Sequence, residues 1–204
     1  MIELLAITDA PLPPPRPPVR AISGGGLSVL CAPAADPPQE PTADALWRHE
    51  ALIEELMEDR DLLPVRYGTV VADDAAAAQA VAERRDELAA GLDRVRGAVE
   101  LAVRAHEREG NPLPAARSGR EYMQARTQRT AAARQLHEPL AALARDSVVQ
   151  SGPELLRAAY LVDRDRVEAF VALVRRLQDD QPALDLLCTG PWPPYSFAER
   201  RERS

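Results

Sequence analysis

Few stretches of this sequence bring chemically capable side chains close together, and each stops short of a known constellation. His49-Glu50 opens the pattern His-Glu-x-x-His, in which two imidazoles one helical turn apart hold zinc and the glutamate serves as base. The fifth position is Ile53, which offers no lone pair, so the pattern ends there. His106 and His137 lie in other parts of the chain and there is no Cys-x-x-Cys, so no metal is expected. His49 reads instead as a surface or interface residue.

Gly24-Gly25-Gly26 invites comparison with phosphate-cradling loops. The dinucleotide pattern needs a further glycine where Val29 stands, and no Gly-Lys-Ser/Thr follows. A hairpin turn is the plainer reading, and no cofactor is expected. Neither Cys31 nor Cys188 has a histidine nearby in sequence to activate it, and no Gly-x-Ser-x-Gly elbow occurs. The carboxylates Glu54, Glu55, Glu58, Asp59 and Asp61 form one run, read as a solvated helix face. No catalytic residue is assigned.

Two segments are left whose chemistry suits contact with a partner. In Arg66-Tyr67-Gly68-Thr69 an arginine stands beside a glycine within a strand-like run, and glycine weakens a strand. Either Gly68 makes a bulge with Arg66 paired to an acid of the preceding helix, or these residues form a partner surface. The second segment holds Trp192, Tyr195 and Phe197, three of the eight aromatics in six residues. They either close the core of the second module or bridge the two modules and shape an interface.

The elements that must position these residues follow from composition and periodicity. The 204 residues are 46% hydrophobic and only 4% aromatic, so the core is aliphatic. All 25 basic residues are arginine, and the net charge is −7. That balance disfavours duplex binding, which runs on counterion release by cations. Residues 1 to 107 carry 19 acids against 10 arginines and residues 108 to 204 carry 13 against 15, which suggests two modules. Two cysteines are too few for a disulfide framework, and the opening Met-Ile-Glu-Leu-Leu-Ala-Ile lacks a basic n-region. The longest uncharged run, residues 21 to 35, is too short to span a bilayer, so the expectation is a cytoplasmic protein with no membrane partner.

Along the chain, Ile2 to Thr8 reads as a strand before a proline-rich stretch, and Leu27 to Cys31 as a second strand. A helix capped by Thr42 or Asp44 runs to about Arg60, with Leu46, Ile53, Leu56 and Met57 on its apolar face. Leu62 to Val71 reads as a strand, and Asp73 or Asp74 caps a helix with the stripe Ala77, Val81, Leu88, Leu92 and Val95. Gly97 ends it, and Val99 to Ala105 alternates as a half-buried strand. The predicted order in residues 1–107 is β-β-α-β-α-β, an α+β domain close to ferredoxin-like.

After a linker at Asn111-Pro112-Leu113-Pro114, Ser118 caps a helix carrying Arg120, Arg126, Arg129 and Arg134, and Pro139 is expected to kink or restart it. A strand over residues 155–162, a helix capped by Asp163 or Asp165 with Val167, Phe170, Val171, Val174 and Leu177 in one stripe, and a strand over 183–189 complete an α+β module, residues 108–204. The Arg-rich helix lacks interleaved aromatics, so no nucleic acid is expected to bind. Attraction to the acidic first half, or steering of a charged partner, suits it better.

Three blocks taken together resemble the gas vesicle protein F/L family: Leu46-Trp47-Arg48-His49-Glu50 leading to Leu63-Pro64-Val65-Arg66-Tyr67-Gly68-Thr69-Val70, then Gly119-Arg120-Glu121-Tyr122, then Thr189-Gly190-Pro191-Trp192-Pro193-Pro194-Tyr195-Ser196-Phe197. The polyproline stretch near the start and the scarcity of aromatics depart from it. The resemblance implies an N-terminal ferredoxin-like α+β domain and a C-terminal α+β domain with helical elements. It implies a non-enzymatic accessory protein of gas vesicles, without cofactor, acting in shell assembly. Its partners would be the major shell protein and other accessory proteins. A free shell subunit with unpaired strand edges is aggregation-prone, which is what an acidic binder would hold in check. The rival readings are a small α+β enzyme with a site built from distant residues and an RNA-binding regulatory module.

Overall fold

The computed structural model describes residues 1–9, 18–34, 42–108 and 118–198. The proline-rich turn expected after the first strand and the linker at Asn111–Pro114 lie outside them. The chain forms two compact α+β units, Met1–Ala98 together with the chain end from Pro193, and Val99–Trp192.

The first unit is built on β1 (Ile2–Thr8), an apolar run buried at all but one of its positions. Burial on both faces is why it reads as continuous rather than alternating. It lies inside a sheet of order β2 (Arg20–Gly24), β3 (Leu27–Pro33), β1, β4 (Leu63–Pro64), with β5 (Val70–Val71) also paired to β1. The glycine run is the turn of the β2–β3 hairpin. Gly25 and Gly26 sit at φ +59° and +82°, the pair of left-handed conformations that a two-residue hairpin loop demands.

Three helices follow the caps expected of them only in part. Thr42 caps α1 (Ala43–Met57), its side chain accepting from the Ala45 N–H at 3.2 Å. Ile53 and Met57 are buried, but so is His49, while Leu46 is 41% exposed. The apolar stripe therefore runs through the histidine, and Leu46 faces outward. The helix expected over 74–95 is two: α2 (Asp74–Glu83), capped by Asp73, and α3 (Arg85–Val95), broken at Arg84. Ala77, Val81, Leu92 and Val95 are buried as the periodicity requires.

The strand predicted over 99–105 is β6 (Ala98–Glu107), and it pairs in the second sheet instead of the first. That sheet has the order β7 (Asp146–Val149), β8 (Leu156–Asp163), β6, β9 (Leu184–Trp192). With α4 (Gly119–Leu143) and α5 (Val167–Asp180) the second unit runs β-α-β-β-α-β. It is thus the second unit that carries the ferredoxin-like order expected of the first. The first unit runs β-β-β-α-β-β-α-α with a short helix added from the chain end, because its hairpin adds a strand, the strand expected over 62–71 and the helix expected over 74–95 each divide in two, and β6 leaves it.

Alternate residues Leu101, Val103 and Ala105 of β6 and Leu156, Ala158, Tyr160 and Val162 of β8 turn one sheet face toward Leu136, Leu140, Phe170 and Val174 of the two helices. The Tyr160 and Phe170 rings meet at 5.1 Å, and His137 Nδ1 lies 2.9 Å from the Tyr160 hydroxyl. Helix α4 continues through Pro139 without restarting. A 3₁₀ turn, Arg164–Arg166, leads into α5, and no side chain caps that helix, so neither Asp163 nor Asp165 has the expected role.

Candidate functional site

The segment Leu63–Val71 is not one strand. Pro64 opposes Ala6 and Val70 opposes Glu3 on β1, so the longer path has to leave the sheet between them. It does so as a β-turn, Arg66–Thr69, closed by the Thr69 N–H donating to the Arg66 carbonyl at 3.3 Å and the Thr69 hydroxyl donating to the same oxygen at 2.8 Å. Gly68 stands third in the turn at φ +79°, where a type II turn requires it. Arg66, Gly68 and Thr69 are exposed and Tyr67 is half-buried.

Two residues remote in sequence hold this turn. The Glu3 carboxylate accepts from the Gly68 N–H at 3.0 Å and lies 3.5 Å from His49 Nδ1. The other nitrogen of the His49 ring is 3.2 Å from the Val65 carbonyl, and its ring meets Tyr67 edge-on at 5.4 Å. His49 is 5% exposed, so of its two readings, surface or interface residue, the surface one is corrected. Glu3 does not stand out in sequence, being one acid among many, and His49 does so only in the incomplete His-Glu-x-x-His pattern and a family block, neither of which links it to a backbone carbonyl of the turn.

Tyr195 and Phe197 belong to the first unit, on α6 (Tyr195–Ala198), which packs against α3 and β4. Phe197 is buried, and the Arg94 guanidinium donates to its carbonyl at 2.9 Å. The start of the 63–71 segment and these two aromatics therefore lie together. Trp192 belongs to the second unit, half-buried, its indole N–H donating to the Thr189 hydroxyl at 3.2 Å. The three aromatics expected to act as one cluster are thus divided between units.

The Tyr195 hydroxyl is buried with no hydrogen bond of good geometry. Burial raises its pKa, and the nearby Glu50 carboxylate adds to that. Burial likewise pushes the Glu50 carboxyl up, against smaller opposing effects of His49 and Tyr195. Burial also raises both thiols, Cys31 and Cys188, which keeps them protonated and poor nucleophiles at neutral pH. Among the described residues no group of three or more His, Cys, Asp or Glu side chains is placed to hold a metal ion. No helix among them is long and apolar enough to cross a membrane.

This geometry can present a rigid, exposed turn beside a sheet edge, and comparison with known proteins gives it a context. The family model described as gas vesicle synthesis protein GvpL/GvpF matches residues 12–199. The chain is 34% identical to gas vesicle protein L of a Streptomyces species over 186 residues, covering 76% of this chain and 69% of that protein. It is 33% identical to gas vesicle protein F of the same organism, covering 91% of this chain and 90% of that one. Crystal structures of GvpF from Anabaena and from Microcystis aeruginosa superpose with TM-scores of 0.82 and 0.80, each covering 98% of this chain and 99% of the other. At 18% identity that likeness is one of fold.

Proposed function

Belonging as it does to the GvpL/GvpF family of gas vesicle synthesis proteins, the chain is a gas vesicle protein, and we propose that it works without catalysis, as an assembly factor that binds the major gas vesicle shell protein. The surface we assign to that contact is the turn Arg66–Thr69 with the β4 edge and the adjoining α6, which adds Tyr195 and Phe197 as supports. Trp192, in the other unit, belongs to a second, subsidiary contact. Other gas vesicle accessory proteins are further partners on this reading, and its place of action is the gas vesicle within the cytoplasm.

The observation that carries the proposal is the exposure of Arg66, Gly68 and Thr69 on a turn held from beneath by Glu3 and His49. A pre-ordered turn loses little entropy on binding, and an arginine at its corner can take a carboxylate in two parallel hydrogen bonds. A shell subunit with unpaired strand edges meets such a surface at the edge of the first sheet.

Pull-down of purified shell subunit by wild type and Arg66→Ala tests it. Measured on folded protein, the variant is expected to bind about 2 kcal/mol more weakly, roughly thirtyfold. If Arg66 serves only the fold, the variant melts earlier while its folded fraction binds as wild type does. No association of the wild-type protein at micromolar concentration, with vesicles forming normally in its absence, would end the assembly-factor reading.

A further inference from the structure

Trp47 is 70% exposed on α1, the largest exposed apolar side chain among the described residues. Its indole N–H has no hydrogen-bond partner among them. On helical spacing Ala43 and Ala51 stand one turn to either side of it, and Asp44, Glu50 and Glu54 flank that stripe. Arg48 is the one arginine on the helix. An indole this exposed in an acidic surround has the makeup of an interface anchor, since tryptophan is enriched among residues that dominate binding energy.

The second unit carries a cavity of opposite character. It holds about 480 Å³ between α4 and the segment before β8, and Ala125, Arg126, Arg129, Ala133, Glu154 and Leu155 line it. That volume falls within the range of about 300–1,000 Å³ typical of pockets that enclose a ligand. Its lining combines apolar Ala125, Ala133 and Leu155 with two arginines and one glutamate. Arg129 is spoken for, donating to Glu107 at 2.8 Å and to the Pro153 carbonyl at 3.1 Å. The Arg126 guanidinium has no partner among the described residues. Glu154 Oε2 is buried without a hydrogen bond, beside Gly152. Helix α4 carries four arginines against two glutamates, the reverse of α1.

We propose that copies of this chain associate head to tail, with Trp47 of one copy seated in the α4 cavity of the next. The indole lies over the Arg126 guanidinium, a stacking that is worth most where water is excluded. Its N–H is the donor that Glu154 lacks, reached by rotation of that carboxyl toward the cavity. Asp44 and Glu54 then face the α4 arginines, so the charge of each surface selects the other. The two surfaces are different patches of one molecule, so each copy offers both and association continues into a ring or an open row. This contact is separate from the turn at Arg66–Thr69 and needs no shell protein.

Sedimentation velocity on the full chain, followed from micromolar to near-millimolar concentration, tests the proposal. Wild type is expected to shift past dimer with concentration. Trp47→Ala and Arg126→Glu should each stay monomeric, with far-ultraviolet circular dichroism unchanged. An equal mixture of the two variants should recover one species, a dimer that grows no further, because each pair keeps one intact tryptophan and one intact cavity. In a Trp192→Phe background, Trp47 emission should move to shorter wavelength over the same concentration range, a reading that needs no cavity variant to fold. A wild type that stays monomeric, a Trp47→Ala that associates as wild type does, or a mixture that stays monomeric overturns it. So does Trp47 emission that shifts only when shell subunit is added, which would make the indole an anchor for that protein instead.

Discussion

The Gly68 N–H donates to the Glu3 carboxylate at 3.0 Å, joining a turn to the first strand across 65 positions of sequence. The same carboxylate lies 3.5 Å from the buried His49 ring. Replacing Glu3 by alanine leaves that ring nitrogen unpaired where water does not reach it, at about 1–3 kcal/mol. Gly68→Ala meets nothing within 4 Å, so its cost is that of the left-handed backbone alone, about 1–2 kcal/mol. Urea midpoints should fall for both variants, with Gly68→Asn closer to wild type than Gly68→Ala.

Phe197 and Tyr195 stand two residues apart and should respond in opposite ways. Phe197 is 2% exposed, and truncating it to alanine is expected to cost about 3–5 kcal/mol. The Tyr195 hydroxyl is buried with only a poorly aligned approach to the Glu50 carboxylate, so Tyr195→Phe removes a poorly satisfied group and should leave the melting temperature unchanged or raise it. Differential scanning calorimetry on the two variants separates these outcomes.

Glu50 gives the fold a pH dependence of definite sign. Burial raises its carboxyl pKa above the ordinary 4.5 in the folded state, so the native chain holds a proton that the unfolded chain has lost. The stability this group contributes is full below pH 4.5 and is lost as pH rises through the raised value. Glu50→Gln has no such proton. Its stability relative to wild type should therefore climb with pH above about 4.5 and level off once pH has passed the raised value. Chemical denaturation at a series of pH values reads this directly, and a constant difference would contradict it.

Gln178 guards the edge strand β9. Its carboxamide donates to the Leu184 carbonyl and accepts from the Leu186 N–H, both at 2.7 Å, as a neighbouring strand would. Leu187, on the same strand, is 55% exposed. Gln178→Ala should uncover that edge and promote association through it, at a stability cost of about 1 kcal/mol. Light scattering at elevated temperature should rise sooner for the variant, and Gln178→Glu, which keeps only the acceptor, should fall between.

The local elements were legible in the chain, because caps and periodicity act over a few residues. Thr42, Asp73 and Ser118 each accept a hydrogen bond from an N–H three residues on, and of the stripe Ala77, Val81, Leu88, Leu92 and Val95 all but the half-buried Leu88 are buried. The family blocks also stood in the sequence, Pro-Val-Arg-Tyr-Gly-Thr and the Trp-Pro-Pro-Tyr-Ser-Phe end among them. Partnership between elements was settled only by packing. Alternation in residues 98–107 marks a strand with one apolar face, but equally well for either sheet, and only packing against Leu136, Leu140 and Phe170 assigns β6 to the second. His49 looked like a surface residue because its partners, Glu3 and the Val65 carbonyl, reach it only once β1 and the turn have folded around α1. The aromatic end was legible as something that must pack, yet Trp192 and Phe197 went to different units. Periodicity fixes which face of an element seeks burial, while the choice among apolar surfaces able to bury it belongs to the whole chain.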